Sequence, residues 1–115
     1  MENIEFYVAA NGRSPFVKWV SSLSLGTRAI IHRRITRLEA GNFGDAKSIK
    51  GARGLYELRI HEGPGYRIYL GKRADVLVVL LCGGKKGTQR QDIIKAKEYW
   101  QDYLENKRDL NDKKI

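Results

Sequence analysis

The stretch Leu55-Tyr-Glu-Leu-Arg-Ile-His-Glu-Gly-Pro-Gly-Tyr-Arg-Ile-Tyr-Leu70 alternates apolar and polar side chains around a turn at Glu62-Gly-Pro-Gly65. A two-residue period is that of a strand, and two such runs around a short turn make a hairpin. Leu58, Ile60, Tyr66, Ile68 and Leu70 then share one face, and Glu57, Arg59, His61, Arg67 and Tyr69 share the other. The first face can join a core. The second gathers two guanidiniums, a carboxylate, an imidazole and a phenol. Arginine offers several donors in a planar fork and stays charged at any physiological pH, so two of them on a rigid sheet suit phosphate recognition. Arg59 and Arg67 would lie near each other across the hairpin. Like charges side by side weaken strand pairing, which an anion between them would relieve. The competing explanation is two exposed arginines paired with Glu57 and Glu62.

The flanking segments set the fold class. Ile4, Phe6 and Val8 alternate with Glu5 and Tyr7 as a first strand, which Asn11-Gly12 breaks. Ser14-Pro15 predicts an N-cap and a first-turn proline, with Phe16, Trp19, Val20 and Leu23 at helical spacing and a stop near Ser24–Gly26. A second helix is expected over Thr27–Ala40, with Ile31, Ile35 and Leu38 as its buried stripe. Arg28, Arg33, Arg34 and Arg37 fall mainly off that stripe, and Gly41 can close the helix in a left-handed conformation. So short a connection predicts an antiparallel helical hairpin. Asn42–Gly54 reads as a basic, glycine-rich loop. Asp75–Cys82 is apolar on both faces, as a central strand under at least one helix would be. Thr88 and Gln91 have capping-box spacing, so a last helix should start there, with Ile93, Ala96, Trp100 and Tyr103 as its stripe. The charged tail after about Lys107 should fray. The order strand, helix, helix, three strands, helix predicts an α+β fold with a mostly antiparallel sheet, and 115 residues fit one domain over 1–115.

Charge narrows the partners. The formal net charge is +9, and residues 25–73 hold eleven Lys/Arg against four Asp/Glu. A field of that sign attracts polyanions, nucleic acid being the commonest, although an acidic protein also fits. Cys82 is the only cysteine, which excludes an internal disulfide, and its place at the end of the most apolar run predicts a buried, reduced thiol. Met1-Glu-Asn-Ile-Glu is not a signal peptide and no apolar run is long enough for a membrane span, so the cytoplasm is the expected compartment.

Two further basic groups stand out. Gly83-Gly-Lys-Lys-Gly87 lies between a strand end and a helix start, where glycines can admit a ligand and the helix adds positive potential, although taken alone it reads first as a plain solvated loop. It is not a Walker A loop. Lys85 and Lys86 gain weight because their strand belongs to the sheet that carries the arginines. Lys47, Lys50 and Arg53, three apart, suit a backbone clamp, and an ordinary solvated loop is the alternative. Glu57 and His61 are the candidates for proton transfer, and His32 is expected to be solvated. Two separated histidines and one buried cysteine make no metal cluster, so no metal or cofactor is expected.

Gly54-Leu-Tyr-Glu-Leu-Arg-Ile, Gly65-Tyr-Arg-Ile-Tyr, the apolar run Val76–Leu81, Cys82-Gly-Gly-Lys-Lys, Asp92-Ile and Ala96-Lys-Glu-Tyr-Trp100 together resemble the RelE/ParE superfamily of toxins. The chain is most similar to the HigB-like, phage Gp49-related addiction module killer branch. The resemblance implies two helices packed on a twisted antiparallel sheet. It implies the toxin half of a type II toxin–antitoxin pair that enters the ribosome and cuts mRNA without metal. There the ribose 2′-hydroxyl attacks the adjacent phosphate, leaving a cyclic phosphate and a 5′-hydroxyl, while the protein positions, neutralises and transfers protons. Carried over by position, Arg59 and Arg67 are the hairpin arginines, Lys86 with Lys85 is the basic residue after the last strand, and Lys47, Lys50 and Arg53 hold RNA backbone. Glu57 joins the catalytic set as a candidate base, and Tyr69 and His61 join the RNA-binding set. RelE has a functional tyrosine in its C-terminal segment; the matching stretch here reads Gln89-Arg-Gln-Asp92, which leaves the acid and base unassigned. The implied partners are the ribosome, mRNA and an antitoxin from a neighbouring gene, whose acidic or apolar segment would cover the basic face or pack on the helices. The alternatives are a ParE-like toxin that binds DNA gyrase and a non-catalytic RNA-binding module.

Overall fold

The computed structural model describes residues 3–74 and 77–106. Its elements are β1 (Asn3–Phe6), α1 (Pro15–Ser21), α2 (Leu25–Glu39), β2 (Ala46–Ser48), β3 (Leu55–Ile60), β4 (Tyr66–Arg73), β5 (Leu77–Lys85) and α3 (Gln89–Glu105). The fold is α+β, with one five-stranded sheet in the order β1-β5-β4-β3-β2. β2 to β5 pair antiparallel, and β1 runs parallel to β5. The expected strand start at Asp75 and Val76 and the tail from Lys107 lie outside the described residues.

Local chemistry explains the helix ends. Ser14 Oγ accepts the Val17 N–H at 3.3 Å, with Pro15 opening the first turn. Ser24 Oγ accepts the Thr27 N–H at 3.3 Å, so α2 starts two residues before the expected Thr27. Gly41, at φ +88°, closes α2; its N–H reaches the Leu38 carbonyl at 2.9 Å, and the Asn42 N–H reaches Arg37 at 2.8 Å. Two expectations need correction. Thr88 does not cap α3: its hydroxyl bonds Asp92 Oδ2 at 2.6 Å, and a 3-10 turn over Lys86–Thr88 leads into the helix. Ala46–Ser48, inside the expected loop, is an edge strand on β3, too short for any period to reveal.

The sheet is covered on both faces. On one side Leu58, Ile60, Ile68, Leu70, Val78 and Leu80 pack with Phe16 of α1 and with Ile31 and Leu38 of α2. On the other, Leu55, Tyr69, Val79 and Leu81 pack with Ala96 and Trp100 of α3. This is why β5, between β4 and β1, is apolar on both faces. It also means that the polar face read from the hairpin is partly roofed by α3. The buried stripe of α2 is Ile31, Arg34 and Leu38; Ile35 is only half-buried. Arg34, expected off the stripe, donates to the Phe43 carbonyl and to Asn42 O at 3.5 Å, its stem buried and its head satisfied by backbone. Burial holds its pKa below the ordinary arginine value.

Candidate functional site

The hairpin register places Arg59 opposite Arg67 and Glu57 opposite Tyr69, all four on the α3 side of the sheet. Their surroundings differ from an open cationic face. The Glu57 carboxylate is only 3% exposed. It accepts from Arg67 Nη1 at 2.8 Å, Gln89 Nε2 at 2.8 Å, the Tyr69 hydroxyl at 3.2 Å and Arg59 Nε at 3.4 Å. The anion between the two arginines is therefore the protein's own. One carboxylate facing two guanidiniums leaves the cluster one positive charge in excess. Each arginine commits one guanidinium nitrogen to Glu57, and among the described residues its other guanidinium nitrogens make no hydrogen bond. The Arg59 side chain is 32% exposed and Arg67 12%, so Arg59 is the more accessible of the pair.

Tyr69 is fully buried, a correction to its place on an open RNA-binding surface. Burial first, and the Glu57 carboxylate second, push its phenol far above the ordinary range, so it stays protonated and donates to Glu57. Glu57 is corrected likewise: a buried carboxylate saturated by four donors orients them and is poorly placed to take a proton from substrate. Gln89, in the stretch that departs from the RelE pattern, supplies one of the four. Its signal was its place at the start of the last helix.

Next to this row, Gly84 of β5 is the Cα partner of Arg67. A bulge between Tyr69 and Leu70 in the β4–β5 register puts Leu81 and Cys82 both in the α3-side cluster and shifts the residues that follow. A side chain at Gly84 would overlap the Asp92 carboxylate, and one at Gly83 would overlap the Trp19 indole. These glycines make room for the protein's own groups, the Asp92 carboxylate and the Trp19 indole. Lys85 and Lys86 are exposed, and the Lys86 N–H reaches the Gly65 carbonyl at 3.4 Å, so Lys86 flanks the hairpin turn close to Arg67. Lys47 of β2 is exposed and pairs with Glu57, extending the row across the sheet. Lys50 and Arg53 are not brought to it. They lie before Leu55, and Arg59 is four strand residues beyond that point, on the order of 13 Å. Lys97 of α3 reaches over Gly51 and joins them in a second basic patch.

His61 stands exposed just past β3, with Nε2 2.6 Å from Asp45 Oδ2. That hydrogen bond holds the Asp45 carboxyl below its ordinary range. Glu62, named as an alternative mate for the hairpin arginines, lies 3.5 Å from Arg33. Burial pushes the Cys82 thiol up to about 12, in keeping with an inert core cysteine. Among the described residues no group of three or more His, Cys, Asp or Glu could hold a metal ion, and no helix is long and apolar enough to cross a membrane.

Comparison with known proteins adds two findings. The family described as phage derived protein Gp49-like (DUF891) matches residues 18–101, most of the chain. An uncharacterized protein of Haemophilus influenzae is 54% identical over 83 residues, covering 71% of this chain and 82% of that protein. The matched range includes α2, the hairpin, β5 and most of α3, and so every residue of the Glu57 cluster.

Proposed function

The chain belongs to the phage-derived Gp49-like family, which is associated with toxin–antitoxin modules and related to RelE, and from that premise we propose that it is a ribosome-dependent mRNA endoribonuclease toxin of the HigB kind. The observation that carries the reading is the cross-strand pair Arg59 and Arg67, oriented by one buried carboxylate and left with a net positive charge. Attack of a ribose 2′-hydroxyl on the neighbouring phosphate forms a cyclic phosphate and releases a 5′-oxygen. The transition state carries extra charge on the phosphate oxygens, and preoriented guanidiniums are the cheapest means of meeting it. Arg59 and Arg67 both contact the phosphate, through the guanidinium nitrogens that Glu57 leaves open. Glu57, with Gln89 and Tyr69, holds both in place. Lys86 neutralises the leaving oxygen. Lys47, Lys85 and His61 line the nearby RNA backbone, while Lys50 and Arg53 grip it at a distance. The protein works in the cytoplasm on mRNA in the ribosome, and an antitoxin encoded beside it restrains it.

Removing one preorganised donor to a developing oxyanion costs about 10²–10³ in rate. Arg67→Ala is therefore expected to abolish growth arrest at expression levels where the parent chain stops growth. Sequencing RNA 5′ ends after induction reads the cleavage itself. Codon-associated ends with the parent and none with Arg67→Ala support the reading; equal arrest by a well-expressed Arg67→Ala protein removes it.

One observation favours a second reading. Arg67 is largely covered and spends its best hydrogen bond on Glu57, which suits a structural pair in a binding toxin of the ParE kind. In that case induction produces a DNA-damage response with transcripts intact.

A further inference from the structure

With Glu57 buried and saturated, the proposed cleavage needs another proton acceptor, and an exposed pair beside Arg59 has the chemistry of one. The Asp45 carbonyl accepts the Arg59 N–H at 2.9 Å, which carries the β2–β3 register one step past Ala46 and sets Asp45 opposite Arg59. Residues opposite each other in an antiparallel pair present their side chains to one face. His61 lies two positions beyond Arg59, about 7 Å along the chain. Its Nε2 is 2.6 Å from Asp45 Oδ2. That hydrogen bond first, with the Arg59 and Arg34 charges adding to it, holds the Asp45 carboxyl below its ordinary range, so it is ionised and only accepts. In the neutral imidazole the hydrogen therefore sits on Nε2, and Nδ1 carries the lone pair. Among the described residues Nδ1 makes no hydrogen bond. The pair is open to a ligand, with the His61 side chain 75% exposed and that of Asp45 47%.

The backbone before Asp45 is held from below. Arg34, buried in the α2 stripe, donates to the Phe43 carbonyl and to Asn42 O at 3.5 Å. Gly44, at φ +61°, sits so close to that guanidinium that a Cβ there would overlap it. Asn42 Oδ1 accepts the Gly44 N–H at 3.1 Å, and Gly44 O accepts the Ala46 N–H at 3.0 Å. Asp45 thus leaves a clamped loop with its direction set. An exposed ion pair adds little stability, so this much fixing of one surface carboxylate points to function. We propose that Asp45 and His61 are the proton-transfer pair of RNA cleavage: His61 Nδ1 is the general base for the ribose 2′-hydroxyl, and Asp45 is the positioning residue that fixes its ring and tautomer. The inference rests on the endoribonuclease reading and adds to it the base that Glu57 is too buried to be. The 2′-oxygen gives its proton to Nδ1 as its bond to phosphorus forms and the bond from phosphorus to the 5′-oxygen breaks. The leaving oxygen takes a proton from solvent beside Lys86, and the imidazolium returns one to solvent.

Cleavage kinetics of the purified full chain test this, on bacterial ribosomes programmed with an mRNA that carries the codon found cut by 5′-end sequencing. His61→Ala is expected to lower kcat about 100-fold while KM stays within about threefold. Imidazole added to the buffer is expected to raise the His61→Ala rate about tenfold, because a free base can enter the space the side chain leaves. His61→Arg keeps a cation toward the RNA backbone and is expected to stay as slow as His61→Ala. Asp45→Asn keeps the shape without the charge and is expected to lower kcat about tenfold, with KM unchanged. Both positions are exposed, so the urea midpoints of these variants should match the parent's. Parent-like kcat in His61→Ala or Asp45→Asn, a loss confined to KM, or a His61→Ala rate that imidazole leaves unchanged overturns the proposal and leaves the nuclease reading in place. A parent chain that cuts no programmed mRNA removes that reading, and this pair with it.

Discussion

Glu57 shows what a single buried charge does here. Its two carboxylate oxygens receive four donors from two strands and a helix. Removing one partner of a buried, hydrogen-bonded ion pair leaves the other charge uncompensated, which costs about 3 kcal/mol. Glu57→Gln keeps the shape and deletes the charge. We expect it to lower the unfolding free energy by about that much in urea titrations, and to reduce growth arrest because Arg67 loses its hold. A loss under about 0.5 kcal/mol would show that solvent already screens the cluster. The alternation of β3 and β4 was enough to put Glu57, Arg59, Arg67 and Tyr69 on one face and Arg59 beside Arg67. It could not show that the face is roofed, because the roof comes from Gln89, 32 positions away from Glu57.

At the scale of elements, fit is set by where helices touch the sheet. Gly83 sits under the Trp19 ring of α1, and Gly71 under the Trp100 ring of α3, in each case where a Cβ would overlap the indole. Overpacking of this kind costs about 1–3 kcal/mol. Gly83→Ala should therefore lower the urea midpoint clearly. Gly26→Ala is the contrasting case: the residue lies in α2 with nothing near its missing Cβ and an ordinary backbone, so alanine should stabilise by about 0.5 kcal/mol. Equal effects at the two sites would mean that the helices do not press on the sheet as described. Helix ends were readable from short-range chemistry, as Ser14-Pro15 and Gly41 show. The bulge in β5 and the edge strand Ala46–Ser48 were not, since both exist only through pairing with a neighbour.

The molecule as a whole carries its positive charge on both sides of one sheet, with buried acids of high pKa between. Cys82 is held up to about 12 against an ordinary value of 9.0, and burial raises Tyr69 in the same sense. Between those limits the unfolded chain has released the thiol proton and the folded chain has kept it. Stability is then fully present below pH 9 and falls as pH rises, by about 1.4 kcal/mol per unit from such a group. We expect the urea midpoint, followed by circular dichroism, to hold steady from pH 7 to 8.5 and to drop between about pH 9 and 12. A midpoint at pH 11 equal to that at pH 8 would mean that these groups titrate freely in the folded state.

What the residues determined unaided is whatever depends on near neighbours or on totals: the two periods, the helix caps, the α+β class, the excess of basic charge and the adjacency of Arg59 and Arg67. The tertiary structure alone decided which of those groups meet water. Burial depends on what packs from above, and α3 comes down over β3 and β4 from the far end of the chain. That packing turned Glu57 from a candidate base into the anchor of two arginines and took Tyr69 out of reach of a ligand.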